Sequence, residues 1–177
     1  MLRQFGLVLL LCLTAPTVAA ADLSIKAFAG KWQGSALSES NISLSFRLTN
    51  RDIDVAISPT GNGFDITWKT VQRQRGNPDN PTEVLKSTSL SFEAVRPGVW
   101  QAVGNADPIA SGDAYGWAHI KDNTLVISSL QIYADGRHEV QMYRRTLSGT
   151  GMSLEFTRNV DGEEVRYAKG RLVKVAN

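Results

Sequence analysis

The chain holds one cysteine, Cys12, and two histidines, His119 and His138. Cys12 lies in an apolar run near the N-terminus that reads as a cleavable leader. The mature protein is therefore expected to have no thiol, which excludes disulfides, thiolate nucleophiles and cysteine-ligated metal sites. Two histidines on separate segments make a poor ligand set, and no metal is expected. Charge of one sign is also scarce: 19 Lys and Arg stand against 17 Asp and Glu, a formal net charge of +2. Only Arg144 and Arg145 are adjacent, so no basic face forms and nucleic acid is not an expected partner. No Gly-x-Ser-x-Gly elbow is present. There is no long amphipathic helical pattern, and the longest apolar run is too short to span a membrane as a helix.

What is present begins with that leader. Arg3 precedes the apolar run 5–13, and small residues with a proline fill 14–21, the order of regions in a signal peptide. Cleavage is expected after Ala20 or Ala21, leaving 22–177 as one exported, soluble domain with no transmembrane segment. The roughly 155 remaining residues can bury about two thirds of their unfolded surface without covalent staples. The absence of disulfides in an exported chain points to a bacterial periplasm, or otherwise to secretion.

Residues 22–29 are expected to form a short helical turn, with Leu23, Ile25 and Phe28 sharing an apolar surface. Beyond them the pattern has the period of strands. Ile42, Leu44, Phe46 and Leu48 alternate with polar residues, and Asn50-Arg51-Asp52 reads as a turn. Ile53, Val55 and Ile57 alternate next, and Asn62-Gly63 suits a tight hairpin into Phe64, Ile66 and Trp68. The hydrophilic segment 73–81 reads as an exposed loop. Strands are expected over 84–95 and 99–103, followed by a small, flexible stretch, 104–113, long enough to cover a barrel mouth. Tyr115, Trp117 and His119 share one strand face, and Gly116 and Ala118 the other. Over 125–134 the apolar phase switches at Ser128-Ser129, which a β-bulge would explain. Asp135-Gly136, 148–151 and Asp161-Gly162 punctuate three further strands. The whole predicts an all-β, antiparallel barrel of about nine or ten strands, or a sandwich; closure is the preferred reading.

The stretch Gly30-Lys31-Trp32-Gln33-Gly34 resembles the first-strand Gly-x-Trp-x-Gly of calycin barrels, a superfamily that includes lipocalins, fatty-acid-binding proteins and nitrobindin-like domains. The resemblance implies an up-and-down barrel with Trp32 closing its base and Gly30 and Gly34 as its structural partners. It also implies a C-terminal basic residue over the indole, Arg171 or Arg166. Nitrobindin-like domains bind haem through a histidine toward the C-terminus; here none follows His138, so haem is not implied and no cofactor is expected.

His119, flanked by Tyr115 and Trp117, is the sharpest candidate for contact with a ligand, yet no partner for it can be identified by spacing. Phe46, Phe64 and Trp68, with Trp100, Trp117 and Tyr143 as further candidates, suit either an apolar pocket or a filled core. The candidate ligand-binding residues are Trp68, Tyr115, Trp117, His119 and Tyr143, with no catalytic residue assigned. Asp107, Asp113, Glu93 and Glu139 read as ordinary turn or surface acids. Three functions fit: a barrel binding a small, largely apolar molecule; a filled barrel acting on an envelope protein as a structural, interaction or inhibitor domain; and a barrel isomerase or cyclase using His119 with an acid or Tyr143. The first is the leading reading.

Overall fold

The computed structural model describes residues 21–42, 48–73, 83–149 and 151–177. The leader therefore lies outside the described residues except for Ala21, and so does most of the 73–81 loop. After a 3-10 turn at Ile25–Phe28, ten strands follow: β1 (Gly30–Ser40), β2 (Leu48–Pro59), β3 (Gly63–Arg73), β4 (Glu83–Arg96), β5 (Val99–Ala102), β6 (Tyr115–Lys121), β7 (Thr124–Ile132), β8 (His138–Ser148), β9 (Gly151–Val160) and β10 (Glu163–Ala176). Each pairs antiparallel with its sequence neighbours, and β1 pairs with β10 to close an up-and-down barrel. The all-β, closed antiparallel barrel expected from the alternation is the fold observed. A four-residue helix, α1 (Pro108–Ser111), sits in the connection between β5 and β6, capped by the Asp107 carboxylate.

The two ends of the barrel differ. The turns after β2, β4, β6 and β8 lie at the end where the 3-10 turn packs. There Leu23 N donates to Asp122 O at 2.8 Å, and Asp122 N to Asp22 Oδ1 at 2.5 Å. Phe28 and Trp32 are buried at this end, and the Trp32 indole Nε1 donates to Phe28 O at 3.0 Å. The interior above them is filled. Phe64 stacks on Phe92 with centroids 4.8 Å apart and meets Trp100 edge-on at 5.5 Å. Where β1 and β10 approach, a Cβ on Gly34 would stand 1.9 Å from Arg171 O, so only glycine lets the barrel close at that register.

Several local expectations change. Of the strand read over 42–48, Ile42 is 64% exposed beyond the end of β1, Leu48 opens β2, and 43–47 lie outside the described residues. Instead β1 runs on through the polar stretch to Ser40, and β2 runs straight through Asn50-Arg51-Asp52. Ala36, Ser38 and Ser40 are buried with inward-facing alternation, so small polar residues there line the interior and do not mark a loop. No register shift interrupts β7 at Ser128-Ser129. Both faces of β7 are buried from Leu125 to Ser128, which removes the apparent phase switch. The register shifts that do occur lie at Lys31/Trp32, Ala94/Arg96 and Glu164/Arg166.

The regular register of β1 with β10 sets the partner of Trp32. Unbroken from Ser40 to Trp32, it puts Lys174 opposite Trp32, with Lys174 Nζ 5.7 Å from the ring centroid, and it shifts only beyond, at Lys31. The cation over the indole is therefore Lys174. Arg171 is exposed opposite Ser35, and Arg166 lies far along the same strand, opposite Ser40.

Candidate functional site

The face of β6 that enters the barrel is the bare one. Gly116, Ala118 and Ile120 are buried, and Tyr115, Trp117 and His119 stand partly exposed on the outer face. The volume opposite decides this. Ala118 pairs with the large, inward Trp100, and a Cβ on Gly116 would already touch Ala102 Cβ at 3.0 Å. A bulky residue on that face would overpack the closed half. Of the five candidate ligand-binding residues, the structure brings Trp68 and Tyr143 together, 5.0 Å apart in the interior, and leaves Tyr115, Trp117 and His119 outside. His138 is at the surface, its Nδ1 3.2 Å from Asp161.

Above the filled half, Trp68, Tyr143 and Phe156 form the floor of a cavity of about 420 Å3. That volume falls within the usual small-molecule range of about 300–1,000 Å3. Ile53, Val55 and Leu154 supply apolar wall. Ser38, Thr70, Thr88, Gln131, Tyr133 and Gln141 add neutral polar groups, and the charged lining among the described residues is mostly cationic: Arg51, Lys86, Arg145, Arg158 and Arg166 with one carboxylate, Glu139.

Glu139 is spoken for. Only 4% exposed, it accepts from Tyr133 Oη at 2.5 Å, Gln141 Nε2 at 2.6 Å and Arg158 Nη2 at 2.6 Å. Burial alone would raise its pKa, but the hydrogen bonds from Arg158, Tyr133 and Gln141 together outweigh it and hold the carboxyl at about 2. Glu139 is thus a fixed anion that neutralises Arg158, unsuited to exchanging a proton near neutrality. Gln141 extends the chain by accepting from Tyr143 Oη at 3.2 Å. Glu139, Gln141, Tyr143 and Arg145 therefore occupy successive inward positions of one strand, β8, at the strand period of two.

Arg145 ends that row and is 1% exposed. Its guanidinium lies 5.3 Å from the Trp68 centroid and 5.4 Å from that of Tyr143. In register it is flanked by Leu125 and Leu154, which offer it no acceptor. Among the described residues, its Nε and Nη1 have no hydrogen-bond partner. Desolvation pushes its pKa down to about 10, opposed by the nearby Tyr143, so it remains a cation at neutral pH. Nε of Arg51 and of Arg166 and the Ser40 hydroxyl are likewise buried without a partner among the described residues. Burial, and then the charge of Arg166, lower the pKa of Arg51.

The connection 104–113, expected near a barrel mouth, lies at the rim. Gln131, which lines the cavity, donates to Gly112 O at 3.2 Å. Arg51, Arg145, Arg158, Tyr133 and Gln141 are site residues that the sequence reading did not single out. The signal for them was the run Glu139-Gln141-Tyr143-Arg145, a polar stripe on one strand face. Among the described residues, no group of three or more His, Cys, Asp or Glu is placed to hold a metal ion.

No family model matches the chain, and no curated protein does. Solved structures do resemble it. A protein of unknown function from the DUF3598 family of Nostoc punctiforme PCC 73102 superposes with a TM-score of 0.56 at 13% identity, over 87% of this chain and 50% of the other. The chain thus spans half the length of that relative. Rv2717c from M. tuberculosis superposes with a TM-score of 0.50 at 14% identity, over 85% of this chain and 96% of the other. The S-type phycobiliprotein lyase CpeS from Guillardia theta overlaps more loosely, with a TM-score of 0.38 at 11% identity, over 88% of this chain and 94% of the other. At these identities the likeness is one of fold, and the chemistry of the cavity rests on the residues of this chain.

Proposed function

We propose that this protein binds a small amphipathic anion in the open half of its barrel: an acid carried on an apolar or aromatic body. One observation carries the reading. Arg145 is a buried cation with two unpartnered donors in the wall of a cavity whose one carboxylate among the described residues already serves Arg158. An uncompensated buried charge is destabilising by several kcal/mol, and stacking on Trp68 and Tyr143 offsets only part of that. Water can occupy the donors, but only an anion neutralises the excess charge. The apolar wall and the aromatic floor suit the body of such a ligand, so the expectation of a largely apolar ligand is refined by the acid group that the lining requires. A filled barrel acting only through its surface suits the closed half and not the open one. An isomerase or cyclase built on His119 would need that residue inside, whereas it is on the outer face.

The test is a fluorescence titration with the monoanionic aromatic probe 1-anilinonaphthalene-8-sulfonate. Saturable, one-to-one binding is expected, and Arg145→Met should weaken it by at least about tenfold, the value of one charge-assisted hydrogen bond. Undiminished affinity in a folded Arg145→Met protein would overturn the reading. We also propose that the protein works in an exported compartment, a reading supported by the leader-like residues 1–21. The N-terminus of the protein recovered from cell fractions checks it: a start at Ala21 or Asp22 in the exported fraction is expected, and an intact Met1 in the cytosol contradicts it.

A further inference from the structure

The unpartnered cations of the cavity lie at two depths. The Arg145 guanidinium packs on Trp68, and Trp68 pairs in register with Val55 of β2. Arg51 lies four residues from Val55 toward the open end, about 13 Å along the strand. Arg166 also lines the cavity toward the open end, close enough to Arg51 for its charge to act there. It pairs with Arg158 and with Ser40, whereas Tyr143 at the floor pairs with Phe156, one inward position below Arg158. Among the described residues the outer pair has no anion of its own. None of the ion pairs or side-chain hydrogen bonds among the described residues engages Arg51 or Arg166, and the cross-strand neighbour Arg158 is itself cationic. Like charges so placed repel unless an anion stands between them. One acid group at Arg145 leaves this outer repulsion untouched.

We propose that the cavity holds a ligand with two separated acid groups, one at Arg145 on the floor and the other at Arg51 and Arg166 toward the open end, with the apolar spacer between them against Ile53, Val55 and Leu154. The inference rests on the Arg145 reading and specifies its ligand as a dianion, such as a dicarboxylate whose acid groups lie on the order of 10 Å apart. The Glu139–Arg158 pair, already neutral, forms a polar wall beside it.

The experiment displaces 1-anilinonaphthalene-8-sulfonate with straight-chain monocarboxylates and with α,ω-dicarboxylates of matched length. At the best length the diacid is expected to displace the probe at a concentration at least about tenfold below that of its monoacid, one added charge-assisted contact. In the Arg51→Gln, Arg166→Gln double variant that ratio should fall to within twofold of unity, with monoacid affinity held. Arg171→Gln removes an exposed cation outside the cavity and should leave the diacid advantage intact, which separates a defined subsite from a general attraction for charge. Unfolding midpoints confirm that each variant is folded. Equal displacement by monoacid and diacid, or an advantage that survives the double variant, would overturn the two-point ligand while leaving the Arg145 site standing. Failure of both acids, or indifference of both to Arg145→Met, would remove the Arg145 site and this inference with it.

Discussion

The two halves of this barrel share the same ten strands and obey opposite rules. In the closed half, large and small side chains complement each other across the wall: Trp100 meets Ala118, and Phe64 lies against Phe92 and Trp100. In the open half the same inward positions carry arginines whose charges exceed the carboxylates available. The first arrangement stabilises the fold, and the second costs it stability and makes sense as a place for something else. Stability and binding are therefore expected to separate along the barrel axis.

Phe64→Ala should have the largest effect, about 3–5 kcal/mol of lost stability in denaturant titration, because it empties the filled half. Affinity of the folded fraction for the anionic probe should be unchanged; a parallel loss of binding would erase the distinction between the halves. Glu139→Gln comes next, at about 1–2 kcal/mol, tempered by the partial exposure of Arg158. Its pH signature is specific. Because the Glu139 pKa is depressed from an ordinary 4.5 to about 2, its contribution is complete above pH 4.5 and is lost as pH falls toward 2. The wild type should therefore lose stability across that interval more steeply than the variant, and parallel curves would contradict the network. Lys174→Gln should cost about 0.5–1 kcal/mol through its contact with Trp32, and Arg171→Gln no more than about 0.5 kcal/mol. The reverse order in thermal unfolding would restore Arg171 as the indole's partner.

The halves also differ in how much of them could be read from sequence. The hairpin from Ile53 to Trp68 was legible because strict alternation and Asn62-Gly63 agree, and the three later turns carry their own glycines. Alternation separates two faces but does not say which is inside. For β6 that choice was made by the volume of Trp100 on the neighbouring strand, a long-range fact invisible in Tyr115-Gly116-Trp117-Ala118-His119. The binding half was hardest, since an inward polar residue facing a cavity has the same pattern as an outward one facing water. Arg51 thus looked like part of a turn, and Arg145 drew notice only for lying beside Arg144. The Trp32 partner was missed because the register of β10 against β1 is a long-range fact: it puts Arg171 opposite Ser35 and brings Lys174 to the ring.

The claim that Arg145 is held for binding at the expense of the empty barrel is tested most directly by thermal unfolding of the wild type and Arg145→Met, each with and without saturating 1-anilinonaphthalene-8-sulfonate. Replacing an uncompensated buried cation with an apolar side chain of similar length should stabilise the empty protein by about 1–3 kcal/mol. The probe should raise the midpoint of the wild type and leave that of the variant nearly unmoved. A variant less stable than the wild type and equally stabilised by the probe would make Arg145 a structural residue and contradict the account.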